Sequence, residues 1–331
     1  MKTYRNILLV LAAAAVLAGC GERKKALLPN VSGKAGEVLV VMEKSDWEGA
    51  PGNAVRDTLA SDCPFLPQKE PLYTLVPVTP SNFTSLFQVH RNILFLTVNP
   101  KTSGEGVRFF NDVWARPQIV IKVEASTPER LAEVFEENKV SIATAIEQAE
   151  RDRVIANSIL YEETNIRPVL SERFGGILHF PKGYVVRKIS DDFVWVACET
   201  QYTNQGVLIY KYPVGKDPFS LQSLVAKRNE FLQKYVPGMF DGTYMVTSPL
   251  VDPQLKYLKY KGRDYAEMRG YWEVHGDFMG GPFVSHSFYS RDGRDIITID
   301  AFVYAPRYDK RHYLRQVEAL LYSYEWTETG N

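Results

Sequence analysis

The sequence predicts an α+β protein: mainly antiparallel sheets packed with helices, in two lobes linked by a long helix. Three observations predict it. Short apolar stretches with strand-like alternation recur through residues 184–303, separated by turn signals. Residues 129–165 contain neither Gly nor Pro and carry apolar side chains at three- and four-residue steps. Residues 309–324 close the chain with a second amphipathic stretch, so helices bracket the strands.

Taken in order, residues 38–42 form a continuous apolar run, the mark of a strand covered on both faces. A helix is expected over residues 46–60, capped by Asp46 and disturbed near its start by Gly49, Pro51 and Gly52. Residues 72–78, 93–98 and 118–123 read as strands. Thr127 then caps the long helical stretch, with Pro128 at its first position. That stretch is one helix or two joined by a bend, and at ~1.5 Å per residue it exceeds about 50 Å, long enough to link two lobes.

Residues 168–174 read as a short helix ended by Gly175 and Gly176. A hairpin is expected from residues 184–189 and 193–199, and residues 206–212 add a third strand. Asp217-Pro218 opens a helix that Pro237-Gly238 stops. Strands follow at 255–260, 265–274, 283–290 and 295–303, the last two joined through Asp292-Gly293, a strong hairpin signal. The last helix places Leu314, Val317, Leu320 and Leu321 on one face.

The amino terminus carries a different kind of message. Lys2 and Arg5 precede twelve apolar residues, 7–18, and Leu17-Ala18-Gly19-Cys20 follows. This order resembles a lipoprotein signal: a basic start, an apolar core too short for a stable span, and small residues before a cysteine. Residues 1–19 are therefore expected to be removed and Cys20 to be acylated. Residues 20–36 read as a tether, 37–165 as a first lobe with the long helix, and 166–331 as a second lobe. Membrane attachment through the lipid is the expected contact, at the outer membrane. Glu22 is the only acidic residue between the cysteine and Arg23, Lys24 and Lys25, which favours the periplasmic face over the cell surface.

Composition narrows the function classes. With 39 basic and 39 acidic side chains, the chain has no electrostatic reason to seek nucleic acid. The histidines are His90, His179, His275, His286 and His312, and none pair at metal-binding steps within a helix. There is no Gly-x-Ser-x-Gly elbow, phosphate-binding loop or dinucleotide fingerprint, so neither metal nor cofactor is called for. His275, Asp277 and His286 can meet if the strands around Gly280 and Gly281 fold as a hairpin, giving a candidate ligand or acid–base site. Gly280-Gly281-Pro282 itself reads as a tight turn. Lys310, Arg311 and Arg315 share the start of the last helix, where cations oppose the helix dipole. A bound anion would relieve that conflict, and so would pairing with Asp309 or Glu318. Cys63 and Cys198 are left as either free thiols or a disulfide.

Two stretches carry a resemblance. Gly270-Tyr271-Trp272-Glu273-Val274 leads into residues 277–283, and Phe302-Val303-Tyr304-Ala305-Pro306 precedes residues 310–319. With the Cys20 motif and residues 36–41, they resemble an uncharacterised Bacteroidota lipoprotein family, domain of unknown function four-eight-three-seven. The resemblance implies lipid anchoring and an envelope role, and carries no reaction or catalytic residue. The expected function is a lipid-anchored, non-enzymatic binding or accessory module with an envelope protein or polymer as candidate partner. Two alternatives stand beside it. One is an envelope hydrolase with its site at residues 277–283. The other is a surface glycan-binding lipoprotein using tyrosines such as Tyr257 and Tyr260.

Overall fold

The computed structural model describes residues 27–327. Cys20, the signal residues 1–19 and the start of the tether lie outside the described residues. The first apolar run becomes β1 (Glu37–Val41), whose last four residues are buried. The helix expected over residues 46–60 is two, α1 (Lys44–Glu48) and α2 (Ala50–Leu59), broken at Gly49. Gly52 lets them touch, since a Cβ there would lie 2.0 Å from the Trp47 carbonyl oxygen. After β2 (Thr74–Val78), α3 (Ser85–Gln88), β3 (Asn92–Val98), β4 (Gly106–Asn111) and β5 (Ile119–Ala125), a sheet closes in the order β2-β1-β3-β5-β4. Four of its strands are parallel, and β4 returns antiparallel at the edge. Parallel pairing explains the unbroken apolar run of β1, since both its faces are covered.

The Thr127 hydroxyl accepts from the Arg130 amide at 3.2 Å and starts α4 (Pro128–Leu160), one unbroken helix of 33 residues. Its first half buries Leu131, Phe135, Ile142 and Ile146 against the first sheet and α2. Next comes α5 (Ile166–Phe174), ended by Gly175 in the left-handed region at φ 65°. The chain then lays down β6 (Gly176–Ile177), β7 (Val185–Ile189), β8 (Phe193–Glu199) and β9 (Asn204–Pro213). α6 (Leu221–Tyr235) separates these from β10 (Tyr244–Thr247), β11 (Gln254–Tyr260), β12 (Arg263–His275), β13 (Gly280–Tyr289) and β14 (Asp295–Tyr304). α7 (Arg311–Leu321) and β15 (Glu325–Trp326) complete the described chain.

The second sheet has eight strands, all antiparallel, in the order β10-β12-β13-β14-β9-β8-β7, with β11 paired to β12 beside β10. The pleat gives it two apolar faces. On one, Val194, Ile209, Val284 and Ile299 pack against Leu314, Val317 and Leu321 of α7. On the other, Leu208, Met268, Phe283 and Phe302 pack against Leu224, Phe231 and Leu232 of α6. The second half of α4 lies against α7, where Ile155 meets Ala319 and Tyr322. The molecule is therefore α+β and mainly antiparallel, with parallel strands confined to the first sheet. α4 is packed on the first sheet at one end and on α7 at the other. Among the described residues no helix is long and apolar enough to cross a membrane.

Candidate functional site

The hairpin residues do not converge. His286 lies opposite Glu267 in the β12–β13 register, whereas His275 lies opposite Tyr244 at the far end of β12. Eight residues of strand separate Glu267 from His275, about 26 Å at ~3.3 Å per residue. His286 is fully buried, and its Nε2 is 3.1 Å from Glu267 Oε2. His275 is exposed and faces the Tyr244 ring at 5.1 Å. Asp277 accepts a hydrogen bond from the Phe278 amide at 2.6 Å on an exposed turn. The expected meeting of His275, Asp277 and His286 is thus corrected: β12 is too long for the three to share a site.

The glycines are corrected too. The turn is made by residues 276–279, with Gly276 at φ +84°, and Gly280 and Gly281 already lie on β13. Gly281 is there for close approach. A Cβ at this position would lie 2.1 Å from the Val303 carbonyl oxygen and 3.1 Å from Trp272 Nε1. An open groove of about 580 Å³ runs beside Gly280 and Gly281, lined also by Leu250, Tyr271, Asp277 and the exposed Phe278.

The cations of α7 have partners that the sequence hid. The Lys310 and Arg311 amides donate to Glu70 Oε1 and Oε2 at 2.6 and 2.9 Å. A carboxylate from the segment before β2 therefore sits on the positive end of the α7 dipole. Neither Asp309 nor Glu318 does this. Lys310 is buried, and its Nζ donates to Gln68 Oε1 at 3.0 Å. Arg311 donates to the Pro71 carbonyl and, at 3.2 Å, to Thr74 Oγ1. Arg315 reaches Glu147 Oε2 at 3.1 Å and lies 4.4 Å over the Tyr73 ring.

Arg311 and Arg315, but not Lys310, line a cleft of about 360 Å³ between α4, α7, β12 and the segment before β2. The groove beside Gly280 is a separate concavity. The cleft is a chain of paired charges. Tyr73 donates to Glu147 Oε2 at 2.7 Å. Arg151 lies 3.7 Å over the Tyr322 ring and 3.9 Å from Glu318 Oε1. Arg269 forks onto Glu318, donating at 3.2 and 2.5 Å, while its Nε donates to Glu267 Oε1 at 2.7 Å. Tyr322 donates to Glu267 Oε2 at 3.1 Å.

The electrostatics follow from burial and partners. Burial pushes the Glu267 carboxyl up, but the His286 hydrogen bond and the Arg269 charge outweigh it, so its pKa falls well below the ordinary carboxylate value. As an ionised carboxylate it accepts only, so His286 Nε2 donates, leaving Nδ1 buried without a partner. Burial likewise pushes the Cys63 thiol at the cleft wall up to about 11, which keeps it protonated at neutral pH. The cleft thus presents fixed, paired charge, suited to holding a polar surface. Among the described residues no cluster of His, Cys, Asp and Glu is placed to hold a metal ion. Cys63 and Cys198 are free thiols.

Sequence reasoning missed Tyr73, Glu147, Arg151, Glu267 and Arg269, and offered Glu318 only as a partner for the cations of the last helix. One signal was present. Glu147 and Arg151 on α4, and Arg311, Arg315 and Glu318 on α7, recur at helical spacing, so each helix carries a charged stripe beside its apolar one.

Fold and cleft define an α+β protein built on a five-stranded and an eight-stranded sheet, with a paired-charge seam between its long helix and its last helix. Residues 163–323 match the model of a family described as domain of unknown function DUF4837. Residues 31–158 match a second domain of unknown function, DUF8532. No curated protein matches the chain. Among solved structures, one from Bacteroides thetaiotaomicron VPI-5482 is 11% identical, with a TM-score of 0.27. That alignment covers 47% of each chain, so this chain spans about half the length of that protein. Human STARD10 is 8% identical over 48% of this chain and 80% of its own, with a TM-score of 0.24. The lipid transfer and protein localization domain of human StarD13 is 11% identical over 45% and 91%, with a TM-score of 0.22. Likenesses this low assign no function.

Proposed function

We propose that the chain is a lipid-anchored, non-enzymatic binding module of the cell envelope. Cys20 holds it at the outer membrane, facing the periplasm, and the folded body contacts an envelope protein or polymer. The observation that carries the binding reading is the cleft between α4 and α7. Its carboxylates are paired with guanidinium groups, and its thiol is held protonated by burial. Such groups suit recognition of a partner's polar surface. The test is crosslinking in intact cells through a photoreactive side chain at Arg311. A discrete crosslinked species that disappears when Glu318→Lys reverses the local charge is the expected result. Recovery of the protein always alone overturns the reading.

One observation favours a glycan-binding role beside it. Phe219, Tyr257 and Tyr289 line an open groove of about 410 Å³ on the β11–β13 face, with Tyr257 70% exposed. Exposed aromatic rings suit stacking on sugar faces. Protease treatment of intact cells separates this surface role from the first. Resistance of the chain supports the periplasmic placement, and digestion supports the surface one.

A further inference from the structure

The largest concavity among those described lies on the opposite side of α7 from the charged cleft. It measures about 670 Å³, within the range of small-molecule sites. The tether enters it at Asn30 and Val31, α4 supplies its floor from Arg153 to Leu160, and β8, β9 and α7 close the far wall. Arg91, Arg116, Arg153 and Lys182 line it, and no Asp or Glu does.

The carboxylates that partner these cations stand outside the lining. Glu150 takes Arg91 at 2.9 Å and Arg153 at 3.0 Å, Asp112 takes Arg116 at 3.2 Å, and Glu163 takes Lys182 at 3.1 Å. Four cations therefore share three carboxylates. An anionic acceptor pairs with such cations through charge-assisted hydrogen bonds. Between the cations the wall is apolar: Val154, Leu160, Tyr184 and Leu320 line it together with the Cys198 thiol.

Cations at the rim and an apolar wall between them define a ligand of two parts. We propose that this cavity binds a small organic anion with an apolar body, such as an acyl carboxylate, its charged head among Arg91, Arg116 and Lys182 and its body along α4 and Tyr184. The site is independent of the lipid anchor and of the charged cleft, so its failure would leave the envelope reading standing.

Cys198 reports on occupancy, and Cys63, in the other cleft, serves as an internal reference. The full chain is alkylated with iodoacetamide in the presence of laurate, 1-dodecanol or inorganic phosphate, and each thiol is followed by peptide mass spectrometry. Laurate at about ten times its Kd slows Cys198 by about tenfold and leaves Cys63 unchanged. Dodecanol and phosphate protect neither thiol. Arg116→Glu with Lys182→Glu, both at exposed positions, removes the protection, and Arg116→Lys retains it. Equal protection by dodecanol or by phosphate overturns the two-part ligand. Failure of laurate to protect Cys198, or equal protection of both thiols, overturns the site.

Discussion

Arg228 Nε donates to Asp300 Oδ2 at 2.5 Å, in a position where neither side chain is reached by solvent. Arg228 Nη1 donates to Thr247 Oγ1 at 2.9 Å, and its guanidinium lies 3.6 Å over the Phe283 ring. The pair ties α6 to the centre of the second sheet. Removing one member leaves the other charged and buried, which costs about 3–5 kcal/mol, whereas replacing both by apolar groups costs far less. Asp300→Ala and Arg228→Ala are each expected to lower the urea midpoint sharply. Arg228→Met with Asp300→Leu is expected to lose much less than their sum. Additive losses in urea unfolding would contradict the pairing.

Glu267 links that sheet to α7 and makes stability depend on pH. Its folded pKa lies below the ordinary 4.5, because the His286 hydrogen bond and the Arg269 charge outweigh the effect of burial. The unfolded chain therefore holds this proton more tightly than the folded one. The stabilisation is complete above about 4.5 and is lost as pH falls through the folded value. Glu267→Gln should flatten the fall of the urea midpoint below pH 4.5 relative to the parent chain. Identical pH slopes for the two proteins would remove Glu267 from the account.

Gly281 tests the close approach of β13 to β14. Gly281→Ala forces a Cβ to 2.1 Å from the Val303 carbonyl oxygen, so backbone must shift. Overpacking of this kind costs about 1–3 kcal/mol. Gly104→Ala meets nothing within 4 Å and serves as the neutral control. Calorimetry should show a lower Tm for the first and an unchanged Tm for the second. Equal Tm values would return Gly281 to the role of a plain turn residue.

Local signals made much of this fold legible. Thr127-Pro128 marked the start of α4, and Asp292-Gly293 marked the β13–β14 hairpin, because caps and turns are set by a few neighbouring residues. The pairing of β1 with β2 and β3 was not legible, since nothing local to Val38 or Val40 specifies a parallel neighbour. Glu70 could not be read as the cap of α7, because the contact spans 240 residues. Glu267 and Arg269 alternate with Ala266 and Met268 and so read as the wet face of a strand. Only the covering helix α7 turns that face into an interior. His275 and His286 misled for the converse reason: hairpin proximity needs a short strand, and β12 has 13 residues.

The proposal depends most on the acyl group expected at Cys20. The direct measurement is fractionation of cells making the parent chain and its Cys20→Ser variant, with the protein followed in membrane and soluble fractions. The parent should sediment with membranes, and the variant should leave them while keeping the same Tm. A variant that stays with the membrane fraction would contradict the lipid anchor and the envelope role built on it.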